Sequence, residues 1–452
     1  MKKIIRKDKP NILWITTEGL PLKVLSCYGG TLIKTPNIDR IAKEGMLFQN
    51  SFCTNGLCAP SRATLLTGKY SHLNGMLANP GEVTGVQENY FDAKQETFAR
   101  ILQQNGYKTG IVGKWHLKDK DGKASNPGEA GFDYFVFKNG AGGPYYNPKG
   151  FFQNPSLGSK VIEAKSYDGY ITDNITNLAI KGIEEMKDGP FMMAVQFFND
   201  HRPFDPPHKY EHIYDSIRFP EPATFWDDYE TRSSAAQQAH QRIEDMPDFD
   251  PPQDLTDRQR KEWNYQQLMR HFLATLKAQD DNIGRLLDYL DKSGLAKNTI
   301  VVFTGDHGFF LGEHGWFDKR FMYEEALRVP WLIRYPNVIK PETVTDAWVV
   351  NIDNAPTILD MAGVKIPADM HGRSLMPIFK GQVPDNWPKL MYYHYYEFGP
   401  PHWAMPCYGI RTERYKLIYY YTINQWELFD LQKDPDEMDN LFLKGGMEIK
   451  PG

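Results

Sequence analysis

Five apolar runs punctuate the chain: NILWITT (Asn11 to Thr17), TGIVG (Thr109 to Gly113), FMMAVQFF (Phe191 to Phe198), TIVVFTGD (Thr299 to Asp306) and VPWLIRY (Val329 to Tyr335). Each is nearly continuous in apolar residues rather than alternating, the pattern of strands buried on both faces. Stretches of helical periodicity lie between them, such as TPNIDRIAKEGMLF and LMRHFLATLKAQDDNIGRLLDYLDKSG, the second closing on a glycine suited to a helix C-cap. Strands alternating with helices predict an α/β fold: a large mixed, mostly parallel sheet sandwiched by helices. From about Asp200 to Arg260 the pattern breaks into HRPFDPPHKY and PDFDPPQDLT, rich in Pro, Asp and aromatics. This predicts a long surface excursion that shapes a substrate entrance. After about Gly381, LMYYHYYEF, YGIRTERYKLIYYYT and QWELFDLQKDPDEMDN read as antiparallel strands. The expected organisation is a catalytic α/β domain over 1–380 and a small C-terminal α+β subdomain over 381–452.

Composition narrows the partners. The chain has 452 residues, 41% of them hydrophobic and 24% charged, which is ample for a large core. A formal net charge of −5 gives no global basic field and argues against nucleic acid as a partner. Any anion specificity must therefore come from a local cluster of Lys and Arg. The four cysteines, Cys27, Cys53, Cys58 and Cys407, are too few and too scattered for a disulfide scaffold, and none form a C-x-x-C zinc pair. The apolar runs are too short for a membrane span. The basic start, MKKIIRKDKPNILW, lacks an apolar leader core. A cytoplasmic location is expected, or a periplasmic or secreted one where a leader has been removed.

In open α/β sheets, ligands bind at the carboxyl ends of the strands. The first run ends in Thr17-Glu18; the second leads to Lys114 and His116. The third leads to Asp200, His201 and Arg202, and the fourth to Asp306 and His307. Glu18, Asp306 and His307 suit a divalent cation: carboxylates favour Ca²⁺ or Mg²⁺, and imidazole moves the preference toward softer metals. Lys69, Lys114 and Lys319 are candidates for holding a polyoxygenated anion as point charges. The stretch NGLCAPSRATLLTGKY places Cys58 at a helix start, with Pro60 in the first turn. Free N–H groups and the positive dipole end favour an anion there, and Arg62 shares the face. These features suit a reactive thiolate and an inert buried thiol alike, and they leave the two open.

CAPSRATLLTGKY resembles the defining stretch of the type I sulfatases, Cys-x-Pro-Ser-Arg followed by Thr-Gly, through Cys58, Pro60, Ser61, Arg62, Thr67 and Gly68. GYKTGIVGKWHL, FTGDHGFFLGEHGWFDKRFMYEEALRVPWLIRYP and NIDNAPTILDMAG also resemble sulfatase segments, in the same order, so the likeness covers nearly the whole chain. The resemblance implies an alkaline-phosphatase-like fold and oxidation of Cys58 to formylglycine (3-oxoalanine) by a formylglycine-generating enzyme. The hydrate of that aldehyde would be the nucleophile that attacks sulfur. The resemblance further implies that Arg62, Lys69 and His116 serve the modified residue, and that Lys114, His201 and Lys319 bind sulfate. His201 or Lys319 would protonate the leaving alcohol. Glu18, Asp306, His307 and residue 58 would hold one divalent cation, Ca²⁺ in most of the family. Gly19 departs from the pattern, since the family places a second acid there. The stretches TNGLCAPSRATLLTGKYSHLNG, GGPYYNP and GEHGWFDKRFMYEEALRVP are most similar to the branch of N-acetylglucosamine-6-sulfatases and mucin-desulfating enzymes. That implies an exo-acting 6-O-sulfatase on N-acetylglucosamine of glycosaminoglycan or mucin glycans, with Arg202, His394 and His402 as candidate sugar contacts. Two alternatives are a phosphonate or phosphodiester hydrolase of the same superfamily and a non-catalytic glycan-binding protein, the latter suggested by Gly19.

Overall fold

The computed structural model describes residues 9–81, 88–140 and 142–445. The segment 1–8, on which the leader expectation rests, lies outside the described residues. Among the described residues, twelve strands precede the C-terminal region: β1 (Asn11–Thr17), β2 (Met46–Phe52), β3 (Lys108–Lys114), β4 (Tyr134–Lys138), β5 (Phe151–Gln153), β6 (Glu163–Lys165), β7 (Phe191–Gln196), β8 (Thr299–Gly305), β9 (Phe310–Leu311), β10 (Phe317–Asp318), β11 (Trp331–Arg334) and β12 (Thr343–Val350). Ten of them form one sheet in the order β12-β2-β11-β8-β1-β7-β3-β4-β5-β6, while β9 and β10 make a separate ribbon. The centre is parallel: β1 pairs with β7 and β8, and β3 pairs with β7 and β4. The run VPWLIRY forms β11, which is inserted antiparallel between β8 and β2.

The continuous apolar runs are buried on both sides, as their pattern requires. Leu13 and Ile15 of β1 pack with Ile38, Ile41, Ile175 and Leu276 from the helices Pro36–Lys43, Ile171–Met186 and Asp257–Lys292. Ile12 and Trp14, on the opposite face, pack with Ala63, Phe98, Leu102 and Leu359 from the helices Cys58–Thr67, Phe98–Gln104 and Asn354–Met361. The long helix Asp257–Lys292 begins with a capping box between Thr256 and Gln259. Beyond its end Gly294 adopts φ 75°, the left-handed conformation glycine tolerates best. In mid-helix, Asp280 accepts the backbone N–H groups of Asn37 and Ile38 at 3.0 and 2.9 Å. One helix thereby caps the start of another.

The C-terminal strands β13 (Leu390–Tyr395), β14 (Cys407–Thr412), β15 (Tyr415–Tyr420) and β16 (Gln425–Asp430) form an antiparallel meander. Its inner face packs Tyr393, Tyr395, Ile418 and Phe429 against Phe321 and Tyr323. A buried ion cluster reinforces the contact: Arg411 grips Glu324 through two bonds, and Lys416 lies 2.9 Å from the same carboxylate.

The Pro-rich excursion is more than a surface loop. Phe204, Phe219 and Phe225 are buried in the main core, and Tyr229 is buried with the C-terminal residues. Polar ties bind the excursion to the meander. Ser233 N–H donates to Glu427 at 2.9 Å, Ser234 N–H to Gln425 at 2.7 Å, and His240 N–H to the His402 carbonyl at 2.7 Å.

Candidate active site

Strands β8, β1, β7 and β3 are neighbours and parallel, so their carboxyl ends meet at one edge. That edge carries Asp306-His307, Glu18, His201 and Lys114, respectively. The helix Cys58–Thr67 begins against it, with Leu57 as its extended N-cap and every residue buried. At the centre, Cys58 Sγ lies 2.6 Å from Glu18 Oε1 and 3.2 Å from Lys319 Nζ. Lys114 Nζ and Arg62 Nη2 donate to Glu18 Oε2 at 2.7 and 3.0 Å. The Arg62 guanidinium also lies 3.0 Å from Asp306 Oδ2 and donates to Gln196 Oε1 at 2.8 Å. One arginine, a turn into the helix, therefore ties three strand ends together.

The electrostatics follow from burial and close charge. Burial would raise the Glu18 pKa, but Lys114, Lys319, His307 and Arg62 hold it well below the usual carboxylate range. Burial and the Glu18 charge also oppose ionisation of Cys58, yet Lys114 and Lys319 bring its thiol down to about 5. His201 is pushed down to about 3 by burial and the two lysines, so its imidazole is neutral. Burial and Lys114 likewise keep His116 neutral. His116 has φ 60° and a buried Nδ1 without a hydrogen-bond partner among the described residues, the kind of strain that collects at functional sites.

The donor set fits a divalent cation. Ligand atoms of Glu18, Cys58, Asp306 and His307 lie within 4.8 Å of one another, and all four residues are buried. His307 Nδ1 donates to the Gly308 carbonyl at 2.8 Å, which orients the ring. Burial opposes its charge, but Asp306 raises it to about 10, so in the metal-free protein Nε2 also carries a proton that a bound cation would displace. Among the described residues His307 Nε2 is buried without a hydrogen-bond partner, and Asp306 Oδ2 has only its ion pair with Arg62. Gly19, where the resemblance led to the expectation of a second acid, leaves no empty space. A Cβ added to it would lie 3.2 Å from His307 Cε1 and 3.1 Å from Phe309 Cδ2, and its backbone is at φ +47°. The imidazole fills the volume a side chain would use.

Not every expected residue arrives at this centre. Lys69 follows the C-cap Gly68, at the far end of a ten-residue helix from Cys58, roughly 15 Å away by helix rise. Its ammonium pairs instead with Asp369. His394 points into an aromatic cluster of the meander, stacked on Tyr396 at 3.6 Å and bonded to the Tyr392 hydroxyl. Its ring neighbours there are Tyr408 and Tyr421, while its backbone N–H donates to the carbonyl of Thr54, four residues before Cys58, at 3.0 Å. His402 does approach: its Nδ1 lies 3.7 Å from Asp318 Oδ2, beside Lys319.

Sequence reasoning missed several members of the site. Asp318 and Arg320 flank Lys319 in a loop held at φ 77° and 95°, with Arg320 donating to Asp318 at 2.6 Å and to Glu397 at 3.2 Å. Their proximity to Lys319 was the available signal. Tyr145 is buried, and its hydroxyl donates to the His201 carbonyl at 2.6 Å, pinning the loop that carries His201. Ser61 bonds the Asp306 carbonyl and accepts from Asn351 at 3.0 Å. Tyr145 and Asn351 lie in GGPYYNP and NIDNAPTILDMAG, stretches that carry the family resemblance, but nothing in their local pattern gives them these contacts.

A sulfatase family model matches residues 10–364, and a model of the N-sulphoglucosamine sulphohydrolase C-terminal region matches 312–449. An N-acetylglucosamine-6-O-sulfatase of Bacteroides thetaiotaomicron is 42% identical over 96% of this chain and 83% of its own length. A solved complex of a protein with its substrate D-glucosamine-2-N,6-O-disulfate is similar at TM-score 0.84 and 40% identity, over 97% of this chain and 94% of that one. A phosphonate monoester hydrolase of Agrobacterium radiobacter has TM-score 0.74 at 20% identity, over 97% of this chain and 92% of that one, and shares the fold.

Proposed function

The chain belongs to the sulfatase family of sulfuric ester hydrolases, and from that premise we propose that it removes 6-O-sulfate from terminal N-acetylglucosamine of glycosaminoglycan or mucin glycans. The observation that carries the reading is the convergence of Cys58, Lys114, Lys319 and the Glu18–Asp306–His307 set on one sheet edge. The 6-O-glucosamine specificity is supported by the relatives at 42% and 40% identity, one a 6-O-sulfatase and the other bound to a 6-O-sulfated glucosamine.

The family implies conversion of the motif cysteine to formylglycine, here Cys58, and a divalent cation. Formylglycine at position 58 would supply a hydroxyl nucleophile, and a divalent cation held beside it would supply polarisation of the sulfate. Glu18, Asp306, His307 and residue 58 would hold the ion, for which we favour Ca²⁺. The remaining work falls to this chain's own groups. Lys114 and Lys319 are buried, fixed ammonium charges that receive sulfate oxygens without reorganising. The neutral His201 donates Nδ1–H to the Arg202 carbonyl at 3.0 Å, leaving Nε2 as an acceptor in the resting site. Lys319, kept charged against its burial by Cys58, Asp318 and Glu18, holds a proton where neutral His201 holds none on Nε2, and we assign it as the donor to the leaving alcohol. Arg62 holds Glu18 and Asp306 in register.

Two measurements test the reading. After expression with a formylglycine-generating enzyme, the peptide carrying Cys58 should be lighter by the exchange of sulfur for oxygen and the loss of two hydrogens. That protein should release sulfate from N-acetylglucosamine 6-sulfate and prefer aryl sulfate to aryl phosphonate. An unmodified Cys58 in an active preparation, or a preference for the phosphonate, would overturn it.

A further inference from the structure

Arg202 follows His201 beyond the end of β7, and its guanidinium is clamped. Nε donates to Asp248 Oδ1 at 2.8 Å, and the Phe317 ring lies 5.3 Å from the central guanidinium carbon. The clamp is a buried carboxylate, with the Asp248 side chain 5% exposed, whereas the Arg202 side chain is 26% exposed. Among the described residues, the two terminal nitrogens of Arg202 have no hydrogen-bond partner. Phe317 immediately precedes Asp318 and Lys319, whose ammonium lies 3.2 Å from Cys58 Sγ, and Arg202 itself follows His201, so the guanidinium stands on the border of the site. An arginine held through Nε, with both terminal amines free, is preorganised to receive an anion through a two-pronged contact. Lys114 and Lys319 already serve the reacting sulfate, so Arg202 is surplus to that group.

We propose that Arg202, positioned by Asp248, binds a second anionic group of the glycan and so sets a preference for doubly charged substrates. That group is an N-sulfate on the same sugar or the carboxylate of an adjoining uronic acid. The inference rests on the 6-O-sulfatase reading above. Asp248 is a positioning residue: it orients the guanidinium and touches no substrate.

The test compares kcat/KM on three probes: N-acetylglucosamine 6-sulfate, D-glucosamine 2-N,6-O-disulfate, and a disaccharide of N-acetylglucosamine 6-sulfate linked to a uronic acid. Arg202→Gln should lower the ratio of a doubly charged probe to the simple one by tenfold or more, chiefly through KM. Asp248→Asn should lower the same ratio severalfold, and Arg202→Lys should recover part of it. Because each ratio is taken within one preparation, loss of folded enzyme cancels. The probe whose ratio falls identifies the anion as N-sulfate or carboxylate. An active parent enzyme with both ratios unchanged in Arg202→Gln overturns this inference alone. A parent enzyme inactive on all three probes overturns the 6-O reading and this inference with it.

Discussion

Replacing Gly19 with aspartate would supply the acid that the family pattern calls for, and the geometry says it will not help. The backbone at φ +47° is left-handed, which costs an L-residue roughly 1–2 kcal/mol, less for Asp than for most. The new Cβ would meet His307 Cε1 at 3.2 Å and Phe309 Cδ2 at 3.1 Å. Neither neighbour can retreat freely. The His307 ring is tied to the Gly308 carbonyl at 2.8 Å, and Phe309 packs between Phe204 and Phe272. Overpacking of this kind costs roughly 1–3 kcal/mol. A third buried carboxylate beside Glu18 and Asp306 adds like-charge repulsion in the metal-free protein. The sum is about 2–4 kcal/mol, which lowers the melting midpoint by roughly 2–4 °C in a chain of 452 residues. The assay is thermal unfolding in chelator, together with calorimetric titration of calcium into Gly19→Asp and its parent. Gly19→Asp should melt early and bind calcium no more tightly. Gly19→Asp combined with His307→Asn, which vacates part of the volume, should regain most of the lost stability. A single variant that melts with its parent and binds calcium tenfold more tightly would refute the steric argument.

Removing either buried ammonium beside residue 58 should be costly to the reaction. Lys114→Ala and Lys319→Ala should each lower turnover by about 10²-fold or more, the usual scale for a preorganised charge contact. Rates within threefold of the parent, in folded protein, would take that lysine out of the site. Asp280 offers a pH test remote from the chemistry. Burial raises its carboxyl from the ordinary 3.8 to about 6, despite the N–H bonds from Ile38 and Asn37. Its contribution to stability is therefore complete below the unfolded value and is lost as pH rises through 6. Asp280→Asn removes this dependence, so its destabilisation should be about 1.4 kcal/mol greater at pH 5 than at pH 7.5. Equal destabilisation at both pH values in denaturant titrations would contradict the assigned environment.

The parallel centre of the sheet was readable because double burial leaves no polar alternation in strands such as Ile12 to Ile15 and Ile300 to Phe303. The same rule placed Glu18, Lys114, His201 and Asp306 at one edge, because parallel neighbours share their carboxyl ends. Strand direction was not readable: the β11 run is as apolar as the others, and only its connection reverses it. Side-chain destinations were less legible still. Lys69 lies near Cys58 in sequence, but a ten-residue helix carries it to the opposite end. His394 and His402 sit in one aromatic stretch, yet strand alternation turns His394 into the outer ring cluster. Tyr145 and Asp248 act through contacts with residues dozens of positions away, which no spacing rule encodes.

The bonds from Ser233, Ser234 and His240 to Glu427, Gln425 and His402 carry a consequence for recombination. Glu427 and Gln425 lie in the C-terminal meander, whereas their donors belong to a segment nearly two hundred residues earlier. A chimera that exchanges only the tail would strand those donors opposite side chains they were not fitted to. Grafting a different sugar preference onto this scaffold therefore calls for moving residues 200–260 and the tail together, as one inherited unit cut from two places in the gene.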